Sequence, residues 1–243
     1  MKMEIIGPFL LTLLAGFSTM IGCLLTFIKT VRVGEVVVLF LTFSMGIMIS
    51  LSIFDLIPNS IPFILNKYGL YYGIAISILI FMLGYLTIDI INRFIKLKDN
   101  NLYRIGILSM ISLMIHNFPE GILVFMSAYS NFKLGIKLCI SIMLHNIPEG
   151  ISISIPIYYS GQSRGMAIKM TLLSSIAEPL GALLSFLFIR RGVSISFIML
   201  FVSGLMISLS LNDILKEILH YNNIKNMIIG FIVSISLSLL LFS

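Results

Sequence analysis

The sequence predicts an all-α, polytopic membrane protein of eight transmembrane helices, and three observations predict it. Of the 243 residues 58% are apolar and only 11% are charged, with a mean hydropathy of +1.09, whereas soluble domains carry about 25% charged residues. The apolar residues gather into eight stretches, each near the ~20 residues a helix needs to cross the hydrocarbon core. The basic residues fall mostly between those stretches. The net charge of +6 therefore points to no nucleic-acid partner: there is no basic stripe, and the natural partner of such a chain is the lipid bilayer.

The predicted spans are 5–28, 36–58, 69–95, 105–129, 134–158, 166–189, 193–215 and 225–243. Span one is too long for the apolar region of a cleavable signal and lacks a small-x-small exit, so it reads as retained. Span three ends at the longest polar stretch, Lys96-Leu97-Lys98-Asp99-Asn100-Asn101, the linker to span four. Spans four and five meet near Asn131 and Lys133, the weakest boundary signal in the chain. All connections are short, which predicts one transmembrane domain over 1–243 and no soluble module. Cys23 and Cys139 lie inside apolar runs without CxxC spacing and read as buried free thiols.

Basic residues set orientation. With the N-terminus outside, the cytoplasmic side holds ten of them (Lys29, Arg32, Arg93, Lys96, Lys98, Arg104, Arg164, Lys169, Lys216, Lys225) against six (Lys2, Lys67, Lys133, Lys137, Arg190, Arg191). The bias favours both termini outside, although Arg190-Arg191 pulls the other way.

Two internal echoes organise the chain. Gly46–Asp55 in span two and Gly204–Asp213 in span seven agree at seven of ten positions. His116-Asn117-Phe118-Pro119-Glu120-Gly121 in span four returns as His145-Asn146-Ile147-Pro148-Glu149-Gly150 in span five. In both cases the two helices run in opposite directions, as inverted repeats do, with the binding site near the midplane where the halves meet.

The second echo carries the chemistry. On a helix, His at i and Glu at i+4 share one face, so each copy offers an imidazole, an amide and a carboxylate along one stripe. Glu120, Glu149 and Glu178 lie well inside their spans, and together they would cost on the order of 8–10 kcal/mol at roughly 2.5–3.5 kcal/mol each. A cation, a proton or a water-filled path must offset that cost; no Lys or Arg lies deep enough to be a permanent partner, so a transient divalent cation fits the imbalance better than a structural salt bridge. Pro119, Pro148 and Pro179 each adjoin one of these glutamates; they kink the helices and free the carbonyls of Ile115, Leu144 and Ser175. Such carbonyls are tolerable where they line a polar cavity. Imidazole with carboxylate suits Zn²⁺, Fe²⁺ or Mn²⁺ rather than Ca²⁺ or Mg²⁺. A second tier, Met48, Asp55, Asp89, Met206 and Asp213, could mark a metal pathway. Each has a plain alternative: the methionines fill core, and the carboxylates sit at the membrane interfaces. His220, beside Glu217, reads as solvated.

These phrases resemble the helix-four and helix-five signatures of the ZIP (Zrt-, Irt-like protein) metal transporters, nearest the bacterial ZupT-type zinc-uptake branch. Ala177-Glu178-Pro179-Leu180-Gly181-Ala182 resembles that family's helix-six motif, and the likeness covers essentially the whole chain. The resemblance implies eight helices in a 3+2+3 arrangement with both termini outside, in the bacterial inner membrane, often as a homodimer. It implies a binuclear centre: His116, Glu120, His145 and Glu149 at one site with Met48 nearby, and Asn117, Asn146 and Glu178 at the other, with Glu120 and Glu149 bridging. Some relatives have Gln at the position of His145 and Asp at that of Asn146, so the second site here has one carboxylate fewer. Residues 96–104 contain no histidine, so the histidine-rich loop of many eukaryotic members is absent. The cargo implied is zinc first, then Fe²⁺, Mn²⁺, Co²⁺ or Cd²⁺, moved into the cytoplasm with no catalytic cofactor. The rival from another class is an intramembrane zinc-dependent hydrolase; against it, the spacing is His-x₃-Glu rather than His-Glu-x₂-His.

Overall fold

The structure is a computed structural model describing residues 2–28, 33–94 and 102–242. The predicted linker Lys96–Asn101 and the basic residues Lys29 and Arg32 lie outside the described residues. Among the described residues all regular structure is helical, and eight helices are long and apolar enough to cross a membrane. They are Ile5–Thr26, Gly34–Tyr68, Leu70–Ile90, Leu102–Ser130, Phe132–Tyr159, Arg164–Arg190, Ile195–His220 and Ile224–Leu241, spans one to eight.

Span two runs about ten residues beyond its predicted end at 58. Its α-helix Val33–Leu51 passes through a π turn at Ser52–Leu56, where the Ile57 N–H bonds the Ser52 carbonyl, and restarts as Ile57–Tyr68. Pro58 falls in the first turn of that restart, where its missing N–H costs nothing. Gly69, at φ 79°, ends the span. Span seven has the same build: Ile195–Leu209, a π turn at Ser210–Ile214, then Leu215–His220. Both π turns carry the last residue of an echo, Asp55 in one and Asp213 in the other.

Helix continues through Pro119 and Pro148, whereas span six breaks at Ile176, between Arg164–Ser175 and Ala177–Arg190. Pro179 cannot donate to the Ser175 carbonyl, and that missing bond falls at the break. One residue, Asn131, separates spans four and five. Its side chain accepts from the Lys133 and Leu134 N–H groups at 3.1 and 3.3 Å, satisfying donors that the first turn leaves orphaned.

The helices pack in two groups. Spans one, four, five and six all contact one another; spans three, seven and eight each pack on span two, and three also on seven; the groups meet chiefly where span two lies on span five and span seven on span four. Exchanging one with six, two with seven, three with eight and four with five carries these pairings onto one another, except that of spans two and three. Within the groups the crossings are glycine-lined. A methyl group on Gly22 or Gly150 would strike the carbonyl of Ile147 or Thr19 where spans one and five cross; Gly121 and Gly181 would strike those of Glu178 and Phe118 where spans four and six cross. Without a hydrophobic drive between helices in lipid, such close backbone approach holds them together. Cys23 and Cys139 are buried and unbridged.

Candidate metal centre

These crossings seat the two His-Asn-x-Pro-Glu-Gly copies in the middle of the bundle. His116, Asn117, Glu120, His145, Asn146 and Glu178 are wholly buried, and Glu149 is 2% exposed. Each imidazole bonds the carboxylate of the opposite helix rather than the glutamate four residues on. His116 Nε2 lies 3.2 Å from Glu149 Oε1, and His145 Nε2 lies 3.3 Å from Glu120 Oε2. Side chains at i and i+4 sit side by side and project the same way, so each reaches across the gap rather than along its own helix.

The other ring nitrogens are tethered alike. His116 Nδ1 is 3.3 Å from the Ser112 carbonyl and His145 Nδ1 is 3.1 Å from that of Ser141. A ring that donates through Nδ1 presents Nε2 as its ligating nitrogen, which here points at a carboxylate in both copies. Span six adds Glu178. Asn146 Nδ2 donates to Glu178 Oε1 and, at 3.0 Å, to the Ala15 carbonyl of span one.

Six buried polar atoms here have no hydrogen-bond partner: Asn117 Nδ2 and Oδ1, Glu120 Oε1, Asn146 Oδ1, Glu149 Oε2 and Glu178 Oε2. Leaving a buried acceptor unpaired costs about 1–3 kcal/mol, more when charged, so a cluster of them marks a place prepared for a polar occupant. Among the described residues no three His, Cys, Asp or Glu side chains already converge on a metal position; they stand in pairs.

The crossed pairing makes a prediction. In a double-mutant cycle on thermal stability in detergent, His116→Ala should couple to Glu149→Ala by about 1–3 kcal/mol and to Glu120→Ala by close to zero. Coupling to Glu120 alone would mean that the imidazole bonds within its own helix.

The second tier is divided. Met48 and Met206 exchange partners at the crossing of spans two and seven. Met48 Sδ accepts from Ser210 Oγ and Met206 Sδ from Ser52 Oγ, each at 3.9 Å. Met48 also stands near the centre, since Ser44, which reaches its sulfur at 3.9 Å, lies 3.3 Å from the His145 carbonyl. Asp55 is buried, where the plain alternative put it at the interface, and it pairs with Lys137 at 3.3 Å. Asp89 accepts from Asn212 at 3.2 Å. Asp213 is half-buried in its π turn, and His220 is exposed against Tyr221.

Sequence reasoning missed Lys137, although it shares a stripe with Ser141, His145 and Glu149 at four-residue spacing. It also missed the carbonyls of Ser112, Ser141 and Ala15, which are main-chain groups and leave no residue-type signal.

Fold and site together define a multi-pass integral membrane protein whose buried ionisable groups sit between helices, away from lipid. A model of the ZIP zinc transporter family matches residues 96–236. Among curated relatives, a zinc transporter ZupT of Chlorobium luteolum is 38% identical over 96% of both chains. One of Chlorobium chlorochromatii is 35% identical over 99% of both, and one of Streptococcus mutans is 33% identical over the full length of both. The chain belongs to the ZIP zinc transporter family, which places it with transporters and not with enzymes.

Proposed function

We propose that this protein carries zinc through the membrane into the cytoplasm, loading it at a binuclear centre between spans four and five. The observation that carries the reading is the pair of crossed imidazole–carboxylate contacts with unpaired oxygens around them. Two ligands about 2.1 Å from a tetrahedral zinc stand about 3.4 Å apart, close to the 3.2 and 3.3 Å of the two pairs. Each pair therefore has the spacing of one edge of a zinc tetrahedron. His116, Glu120, His145 and Glu149 would supply the first site. Asn117, Asn146 and Glu178 would complete the second, with the free oxygens of Glu120 and Glu149 bridging. Fe²⁺, Mn²⁺, Co²⁺ and Cd²⁺ suit the same donors and are candidate further cargo.

Each pair holds its contact by sharing a proton between nitrogen and oxygen, and an arriving cation takes that proton's place. Metal affinity should therefore fall in acid. The reading also takes the chain as one domain of 3+2+3 inverted repeats in the bacterial inner membrane, with both termini outside and a homodimer as the assembly. The reciprocal helix pairings and the twin π turns support the repeat. Alternating access would come from one helix group sliding or rocking against the other.

The test is uptake by proteoliposomes, with competing metals and with and without a pH gradient. Zinc should enter above the rate of protein-free liposomes, with an apparent affinity that weakens as the pH is lowered. Entry no faster than in protein-free liposomes would overturn the reading.

A further inference from the structure

The pair between Asp55 and Lys137 joins the two helix groups at the end of the bundle where spans one and five begin. Lys137 stands two turns before His145, and Lys137, Ser141, His145 and Glu149 fall at four-residue intervals on one face of span five. They are chained along the helix: Ser141 Oγ donates to the Lys137 carbonyl at 3.0 Å, and His145 Nδ1 meets the Ser141 carbonyl at 3.1 Å. Eight residues of helix place the backbone of Lys137 about 12 Å along the axis from that of His145. Span two runs the other way beside it, with Ser44 touching the His145 carbonyl at one level and Asp55 reaching Lys137 at the other. The stripe thus leads from the centre to a carboxylate held by a cation that belongs to the chain.

That carboxylate is built to receive charge. Its side chain is 4% exposed against 29% for Lys137. Oδ1 takes both the Lys137 ammonium, at 3.3 Å, and the Asn59 amide, at 3.2 Å, while Oδ2 is buried without a partner. Lys137 also lines an open cavity of about 420 Å³, bordered by Asn131, Lys133, Ile140 and Leu241 among others, the space a displaced side chain would enter.

We propose that Lys137 is a tethered competitor for Asp55: its ammonium occupies the oxygen that an incoming divalent cation must take, and so sets the cation concentration at which this end of the pathway loads. This rests on the transport reading above. A divalent cation bound at Asp55 displaces a single positive charge into the cavity. The residue acts on admission and leaves the chemistry of the central site untouched.

The test is the initial rate of zinc uptake by cells, measured against zinc concentration and normalised to membrane-located protein. Lys137→Met should lower the apparent KM about fivefold, the scale of a partly exposed ion pair, with the maximal rate retained. Lys137→Arg should keep the wild-type value. Asp55→Asn, which leaves the ammonium without its counter-charge, should raise KM, and the double variant D55N/K137M should lose the gain. An unchanged KM for K137M, or a lower maximal rate at unchanged KM, would mean that the pair is only a strut and would overturn the proposal. So would failure of both K137M and Lys137→Gln to reach the membrane. Absence of uptake by the wild type would remove the transport reading and this inference together, whereas a normal wild type beside an unaltered K137M removes the inference alone.

Discussion

Glu120→Ala and Glu149→Ala should each reduce zinc accumulation at limiting zinc by at least about 100-fold, because loss of an outer-shell partner alone costs about 10–100-fold and these carboxylates are proposed as bridging ligands. The protein should still reach the membrane. Each substitution frees one imidazole from a carboxylate, and a buried imidazole can stay neutral and keep its Nδ1 bond to Ser112 or Ser141. His145→Ala should behave in the same way, since it removes the nitrogen in contact with Glu120. Glu178→Ala should be milder, nearer tenfold on that outer-shell scale, because its carboxylate is met by the Asn146 amide rather than by an imidazole. Radiolabelled zinc uptake with immunoblotting of the membrane fraction reads all four variants. Normal uptake by Glu120→Ala and His145→Ala together would reject the binuclear centre.

The second large effect concerns assembly. Gly150→Val should prevent stable folding, because any side-chain carbon there meets the Thr19 carbonyl of span one and the Cys23 main chain. Backbone cannot step aside as a flexible side chain does, so the cost should sit at or above the ~3 kcal/mol upper end of ordinary overpacking. Gly165→Ala is the control. Its added methyl touches only Ser163 Oγ, at an ordinary 3.7 Å, and alanine is the better helix former, so stability should hold or rise slightly. Thermal melting in detergent, followed by size-exclusion chromatography, separates the two. A Gly150→Val protein that melts like the parent would show that spans one and five do not cross so closely.

Much of this architecture is readable in the amino acids. Eight apolar stretches became eight helices because crossing a bilayer needs length and little else. The centre was legible because histidine and glutamate are costly in such stretches and were written twice. Other features were not. The end of span two was misplaced because a span length near 20 residues carries no sign of the π turn from which the helix restarts at Ile57 and runs on past Pro58. The partner of His116 could not be known from spacing, which places Glu120 beside it and says nothing of Glu149 on the next helix. Lys137 and Asp55 lie 82 positions apart in the chain, and only the packing of span five on span two brings them together.

The placement of the glycines has a mechanical consequence. Every glycine whose missing side chain lets another helix's backbone in does so within its own group of four helices; none serves the seam between the groups. Shear stiffness is therefore unevenly distributed. Each quartet is keyed through its main chains, while the boundary between them is fastened by side chains, among them Ser44 on the His145 carbonyl and Lys137 on Asp55. Side chains can let go and re-form one notch along, and interlocked backbones cannot. On the transport reading proposed above, a slip plane of this kind would let the quartet bearing the imidazoles travel as a rigid shuttle, carrying its cargo past a stationary wall.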